Sequence, residues 1–229
     1  MAVFAASEPL DVDRHAADLF AAYALGDNSD WTWLASTRPE SVAATAHWIA
    51  GKVNDDARCR MRWLTCVASR RWASSAIWRS SGKWARLRSA MSLVATDEKH
   101  PLGTEAVWLL LKNGFDHGYR RLEWKCDSMN VASRRAAERL GFSWEGRLRQ
   151  RLVRKGRTRD SDMLSIIDGE WPARDAALRA WLAAENFTAD GQQIKRLGGV
   201  SLTSTYGVKT RNGTPVALRL PGLRYIASG

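Results

Sequence analysis

The stretch from Gly118 to Gly146, GYRRLEWKCDSMNVASRRAAERLGFSWEG, constrains the fold more than any other. Leu122, Trp124 and Cys126 alternate with Glu123 and Lys125, the period of a strand with one face against a core. Asp127, Ser128 and Asn130 carry turn and cap chemistry. A helix follows, with Ala132, Ala136 and Leu140 repeating at four-residue spacing on one face and Arg134, Arg135, Glu138 and Arg139 on the others. Arg134 and Glu138 stand one turn apart and can pair. Gly141 sits where a helix wants a left-handed residue just past its end. Phe142 and Trp144 open another strand.

The pattern D-x-x-N-x-x-S-x-x-x-x-E-x-x-G-F, from Asp127 to Phe142, resembles the acetyl-coenzyme A-binding end of the GNAT N-acetyltransferase superfamily. It is closest to the branch resembling ribosomal-protein N-terminal (alanine/serine) acetyltransferases. The run from Arg147 to Pro172, RLRQRLVRKGRTRDSDMLSIIDGEWP, fits that branch too. The resemblance is continuous from Thr104 to about Asp190. It implies an α/β fold with a mixed central sheet flanked by helices.

A chain of 229 residues, 45% hydrophobic, is long enough for one good core and is globular rather than disordered. No run of about 18 apolar residues exists, so no membrane span is expected. Residues 1–20 lack the charged-then-apolar plan of a secretory signal. Three irregularly spaced cysteines (Cys59, Cys66, Cys126) point to a reducing, cytoplasmic setting. They form no ligand spacing with His15, His47, His100 or His117, so no metal site is expected.

The net charge of +11 invites a nucleic-acid reading, but its distribution does not support one. Residues 57–96 hold nine Lys/Arg and no Asp/Glu, and residues 191–229 hold six and none. Elsewhere 20 basic side chains face 24 acidic ones. Specific nucleic-acid binding is therefore not expected.

Residues 57–96 are anomalous. They combine Trp63, Trp72, Trp78 and Trp84 with seven serines, and neither a helical nor a strand period persists. The resemblance implies three central strands here, and nothing in the segment looks like them. GC-rich DNA translated out of frame accumulates Arg, Trp and Ser. Read one base earlier with permissible synonymous codons, Ser75–Ser92 becomes VSYLEIVREVGTIEIGHV, which alternates like strands and resembles the missing pair. That reading also restores a glutamate, a natural general base, where the chain has Arg88. Frame displacement is preferred over a divergent insertion, and both over an Arg/Trp nucleic-acid arm. The sheet is thus expected to be irregular or incomplete at about 51–98. The domain is expected to span 1–196, with 57–96 atypical and 197–229 a C-terminal tail in which Asn212-Gly213 suits a hairpin turn.

In the entry region, Asp13 is a candidate cap for a helix burying Ala17, Leu19, Phe20 and Tyr23. Ser41 opens a second helix with Val42, Thr45, Ala46, Trp48 and Ile49. Trp31 and Trp33 read as core, with substrate contact the lesser alternative. Pro101 to Thr104 open a buried helix carrying Val107, Trp108, Leu110 and Leu111. Its N-terminal N–H groups suit a phosphate. Strands are expected at about Glu145–Arg154 and Ser161–Ile167 around a Lys155-Gly156-Arg157 turn. The basic run Arg147, Arg149, Arg151, Arg154 and Lys155 reads as a solvated strand face. A helix from Ala173 to Ala184 turns Leu178, Trp181 and Leu182 inward.

The resemblance implies acetyl transfer from acetyl-coenzyme A to an amine, either a protein N-terminus or a small molecule. Leu102, Gly103 and Thr104 are implied to cradle the coenzyme's phosphates. Asn130 is implied to bind the pantetheine arm or acetyl group, and it can equally cap the helix from Val131. Ser133 faces the thioester in the family, so it is both a coenzyme contact and the candidate catalytic proton relay; a plain helix-surface role is the alternative. Arg134 and Arg135 read as solvated surface, with contact to the coenzyme phosphates the alternative. Cys126 reads as core rather than nucleophile. Two alternatives accompany the enzyme reading: a catalytically impaired remnant of a disrupted frame, and a basic nucleic-acid-binding protein.

Overall fold

Strand β3 (Arg121–Asp127) alternates as its sequence dictates: Leu122, Trp124 and Cys126 are buried, and the residues between them are half-buried. It belongs to a computed structural model that describes residues 11–24, 31–53, 77–81, 84–88 and 101–197. The element order there is α1 (Val12–Ala24), α2 (Val42–Val53), β1 (Ile77–Ser81), β2 (Trp84–Arg88), α3 (Pro101–Asp116), β3, α4 (Val131–Arg139), β4 (Ser143–Arg154), β5 (Arg157–Ile167) and α5 (Trp171–Trp181). A short 3-10 turn, Ala184–Asn186, follows.

The main sheet runs β3-β5-β4, antiparallel throughout, with β5 in the middle. Trp124 stands opposite Leu164 and Leu122 opposite Ile166, so these four side chains share one face. That face packs with Val107, Trp108, Leu110 and Leu111 of α3, Ala137 and Leu140 around the end of α4, and Leu178 and Trp181 of α5. Each fully buried aliphatic side chain here stabilises the fold by about 1.5–3 kcal/mol. A second cluster joins α1 and α2 through Leu19, Tyr23, Trp31 and Ile49. Tyr23 meets Trp31 edge-on at 5.0 Å.

The α/β architecture agrees with the sequence expectation. Several details differ. The α1 cap is Asp11, whose Oδ1 accepts from the Arg14 N–H at 2.9 Å, rather than Asp13. Its inward face carries Ala16, not Ala17, because the stripe continues from His15 to Leu19 and Ala22. Ser41 does cap α2, accepting from the Ala44 N–H at 3.0 Å. In α4 the inward stripe is Ser133, Ala137 and Leu140, while Ala132 is exposed. The regular four-residue spacing of the alanines misled, since a short helix presents an i, i+4, i+7 stripe equally well. β5 begins at Arg157, four residues earlier than expected, and α5 begins at Trp171, with Pro172 in its first turn.

Residues 77–88 contain a strand pair that the sequence did not announce: β1 and β2 are antiparallel, with Ile77 opposite Arg88 and Ser81 opposite Trp84. They form a two-stranded sheet of their own. β2 lies beside β3, yet no ladder joins them among the described residues. The rest of 57–96 and the expected Asn212-Gly213 turn lie outside the described residues.

The α4–β4 connection shows why Gly141 is needed. The Phe142 N–H donates to the Ala137 carbonyl and the Gly141 N–H to the Glu138 carbonyl, both at 3.0 Å, which is a Schellman closure. Gly141 adopts φ +94°, and a Cβ there would stand 2.8 Å from Cδ of Arg174. At the other hairpin, Lys155 and Gly156 have φ of 48° and 74°, the signature of a two-residue type I′ turn.

Candidate functional site

The chain leaves β3 through a turn built by its own side chains. The Asp127 carboxylate accepts from the Met129 N–H at 3.0 Å, and the Asp127 carbonyl accepts from the Asn130 N–H at 3.0 Å. Asn130 then caps α4, its Oδ1 accepting from the Ser133 N–H at 3.0 Å. Both readings of Asn130 are thereby compatible: capping uses Oδ1, and its Nδ2 carries no hydrogen bond among the described residues.

Ser133 is turned inward. Its Oγ accepts from the Trp124 indole N–H at 3.1 Å, and its hydroxyl proton faces the Cys126 sulfur beside it. Burial, with the nearby Asp162 carboxylate, pushes that thiol up to about 11, so Cys126 stays protonated at neutral pH and is no nucleophile.

At the opposite end of α4, the Arg139 guanidinium donates from Nη2 to the Thr104 hydroxyl at 3.1 Å. Thr104 is fully buried in the first turn of α3. Leu102, Gly103 and Thr104 thus occupy the helix start, where backbone N–H groups lack intrahelical acceptors and the dipole favours an anion. The Leu102 side chain lies outside the described residues. Asn130 and Arg139 stand at the two ends of α4, about 14 Å apart along its axis at 1.5 Å per residue, and the Arg139 side chain reaches from its end to Thr104.

Other charged groups sharpen the site. Asp162, fully buried on the central strand, accepts from Arg147 Nε at 2.7 Å and Nη2 at 3.1 Å, and Arg134 approaches at 3.5 Å. Arg147 is exposed, as a solvated face requires, and it also pairs with the buried carboxylate; Arg134 is half-buried beside the same group, while Arg135 is exposed. The signal was available: Asp162 has the same parity along β5 as Leu164 and Ile166, so it had to be buried and paired. Arg134 also pairs with Glu138 at 2.9 Å and lies 5.5 Å over Trp144. On the other face, Arg121 joins Glu145, Glu123 and Ser165. Its hydrogen bonds hold the Glu145 carboxyl below its usual range and raise the guanidinium further. The expectation that Trp31 is core holds, as it is buried against Tyr23. Arg139 and Trp124 were missed because what they hold, Thr104 and Ser133, depends on tertiary approach rather than spacing.

Among the described residues no cluster of His, Cys, Asp or Glu is arranged to hold a metal, and no helix is long and apolar enough to cross a membrane.

Comparisons with known proteins agree on one family. The family model described as Acetyltransferase (GNAT) domain matches residues 8–143, more than half of the chain. A GCN5-related N-acetyltransferase from Brucella melitensis is 36% identical, with a TM-score of 0.78 over 86% of this chain and 90% of that one. A GNAT-family acetyltransferase from Chromobacterium violaceum is 34% identical, with a TM-score of 0.64 over 75% of this chain and 90% of that one. At 18% identity and a TM-score of 0.59, over 72% and 96% of the two chains, the Salmonella typhimurium acetyl transferase that modifies the N-terminal serine of ribosomal protein L7/L12 shares the fold. No curated protein matches the sequence at a significant level. A matching family model over most of the described core, two relatives above 30% identity and the capped turn from β3 into α4 together make this chain a member of the GNAT acetyltransferase family.

Proposed function

We propose that the protein transfers an acetyl group from acetyl-coenzyme A to an amine, and that one domain over residues 1–196 does so. The observation that carries this reading is the capped amide with an open donor at the start of α4, in a helix tied to the anion-suited start of α3 by the Arg139–Thr104 bond. The residues fit the coenzyme. The N–H groups of Leu102 and Gly103 suit its phosphates, while Thr104, the buried fourth residue of α3, holds that turn through its bond with Arg139. Asn130 Nδ2 suits a carbonyl of its pantetheine arm. When bound, acetyl-coenzyme A supplies an activated thioester carbonyl and a thiol leaving group.

The chain's own contribution is positional and protonic. No ladder joins β2 to the neighbouring β3 among the described residues, so backbone N–H groups on that edge of β3 can bond to a carbonyl. Ser133, held by the Trp124 indole, can act only as a relay, passing a proton from water to a departing sulfur as it receives one itself, and must turn from Cys126 to do so. The amine must arrive neutral. Arg88, in β2, cannot take its proton at neutral pH, so a carboxylate elsewhere or water must. The acceptor is a protein N-terminus or a small amine. The Salmonella relative's acceptor, an N-terminal serine, supports the former.

The test is thiol release from acetyl-coenzyme A in the presence of free-amine peptides, with mass spectrometry locating the acetyl group. Calorimetric binding without turnover would favour the second reading, an impaired remnant, for which the charge and composition of 57–96 speak. A flat calorimetric titration would remove the activity claim.

A further inference from the structure

The β4–β5 hairpin carries seven basic residues between Arg147 and Arg159 and no acidic one. Three have partners inside the fold. Arg147 pairs with Asp162, Arg159 approaches Asp127 at 3.3 Å, and Lys155 donates to the Trp31 carbonyl at 2.8 Å. The other four, Arg149, Arg151, Arg154 and Arg157, are exposed and have no acidic partner among the described residues.

Two features show that this charge is arranged at a local cost. Arg154 and Arg157 are direct cross-strand partners, and like charges opposite one another destabilise a sheet. Arg154 also bears on the half-buried Arg159, whose guanidinium is held below its usual value, first by burial. Nearby, Arg149, Gln150 and Arg151 bulge against a single residue, Asp160, as the register moves from Leu148–Ser161 to Leu152–Arg159. Gln150 adopts φ 46° and its N–H is held by Asp160 Oδ1 at 2.8 Å. Bulges re-aim side chains and occur next to active sites. This one is fixed by the Asp160 carboxylate, whose charge also bears on Arg147.

The kind of partner follows from what lies between the arginines. Leu148 and Val153 are exposed at 41% and 69%, and no aromatic side chain lies between Arg147 and Arg159. Single-stranded nucleic acid is bound by stacking on aromatic rings beside basic groups. Arginines interleaved with exposed aliphatic side chains suit a polypeptide carrying carboxylates.

We propose that the bulged β4–β5 hairpin docks an acidic segment of the acceptor polypeptide, so that the acceptors are proteins whose N-terminal amine is followed by Asp and Glu. This rests on the acetyltransferase reading above. The hairpin tip is pinned to the α1–α2 connection by Lys155, so the docking surface is fixed relative to the N-terminal helices.

The test separates docking from catalysis. Fluorescence anisotropy of the full-length protein is measured with a Glu/Ser peptide bearing a free N-terminus and a C-terminal dye, and with its Gln/Ser counterpart. At low ionic strength the Glu peptide is expected to bind at least about tenfold more tightly, the equivalent of ~1.4 kcal/mol. The preference should vanish in about 1 M salt, where the Debye length is ~3 Å. The double variant R149E/R151E should lose the preference while its calorimetric titration with acetyl-coenzyme A matches wild type. As a check on folding, Arg154→Glu replaces the Arg154–Arg157 repulsion with attraction, and should raise the melting temperature while weakening Glu-peptide binding. Equal affinity for the two peptides overturns the proposal, as does tighter binding of a uridine oligonucleotide of equal charge. Glu-peptide preference in a protein that gives no heat with acetyl-coenzyme A would keep the surface and sink the enzyme reading instead.

Discussion

Arg139 Nη2 donates to the Thr104 hydroxyl at 3.1 Å, joining the last turn of α4 to the first turn of α3. The guanidinium also lies 5.9 Å from the Trp181 ring, which restricts where it can point. One bond therefore ties α4 to the helix start suited to phosphate.

Arg139→Ala should weaken acetyl-coenzyme A binding by about tenfold, since hydrogen bonds from charged groups contribute about 1.5–3 kcal/mol. Thr104→Val should reproduce part of the loss. Calorimetry on both variants checks this, and wild-type affinity in Arg139→Ala would show that the bond positions nothing.

Asn130 allows its two roles to be separated. Asn130→Asp keeps an oxygen for the Ser133 N–H but removes the Nδ2 donor, so the melting temperature should hold while coenzyme affinity falls. Asn130→Ala should lose both, with a stability cost of about 1 kcal/mol from the missing cap. Thermal melts beside binding titrations distinguish the variants. An aspartate variant that binds normally would reduce Asn130 to a cap.

Gly141→Ala should destabilise the fold by about 1–3 kcal/mol, the usual cost of a side chain forced into a sparsely populated backbone region. The strain adds to a close approach, because the new Cβ would stand 2.8 Å from Cδ of Arg174. Urea denaturation measures the loss. A companion Arg174→Ala substitution should recover only the steric part.

The Arg121–Glu145 pair should give a pH-dependent contribution. The Glu145 carboxyl is lowered, chiefly by its hydrogen bond from Arg121. A depressed folded-state value means that the stabilisation is complete above the ordinary carboxylate value of about 4.3 and is lost as the pH falls through the lower folded one. Glu145→Gln should therefore melt below wild type at neutral pH, with the gap closing in acid. Both side chains are partly exposed, so the gap should correspond to no more than about 1 kcal/mol. A gap that widens below pH 4 would reverse the assigned sign.

The sequence carried the capped turn, the alternating strand and the glycine closure because each is local: Asn130, Leu122 to Cys126 and Gly141 act through neighbours a few residues away. What it could not carry was long-range. The Asp162 pairs depend on strand register, and Arg139 meets Thr104 only because α3 and α4 pack on the same sheet face. The strand pair Ile77–Ser81 and Trp84–Arg88 was invisible for another reason. Ile77 to Ser81 follow no period of two, and the four alternating residues from Ala85 to Arg88 are too few to announce a pair.

The bond from Lys155 Nζ to the Trp31 carbonyl joins positions 124 residues apart. Contacts of such separation wait until the intervening chain has been ordered, whereas helices and tight hairpins form early. This clasp is thus expected to close after the transition state. Lys155→Met should accelerate unfolding and leave the refolding rate unchanged in stopped-flow measurements, so the lifetime of the folded protein, more than its speed of formation, depends on one ammonium group at a hairpin tip.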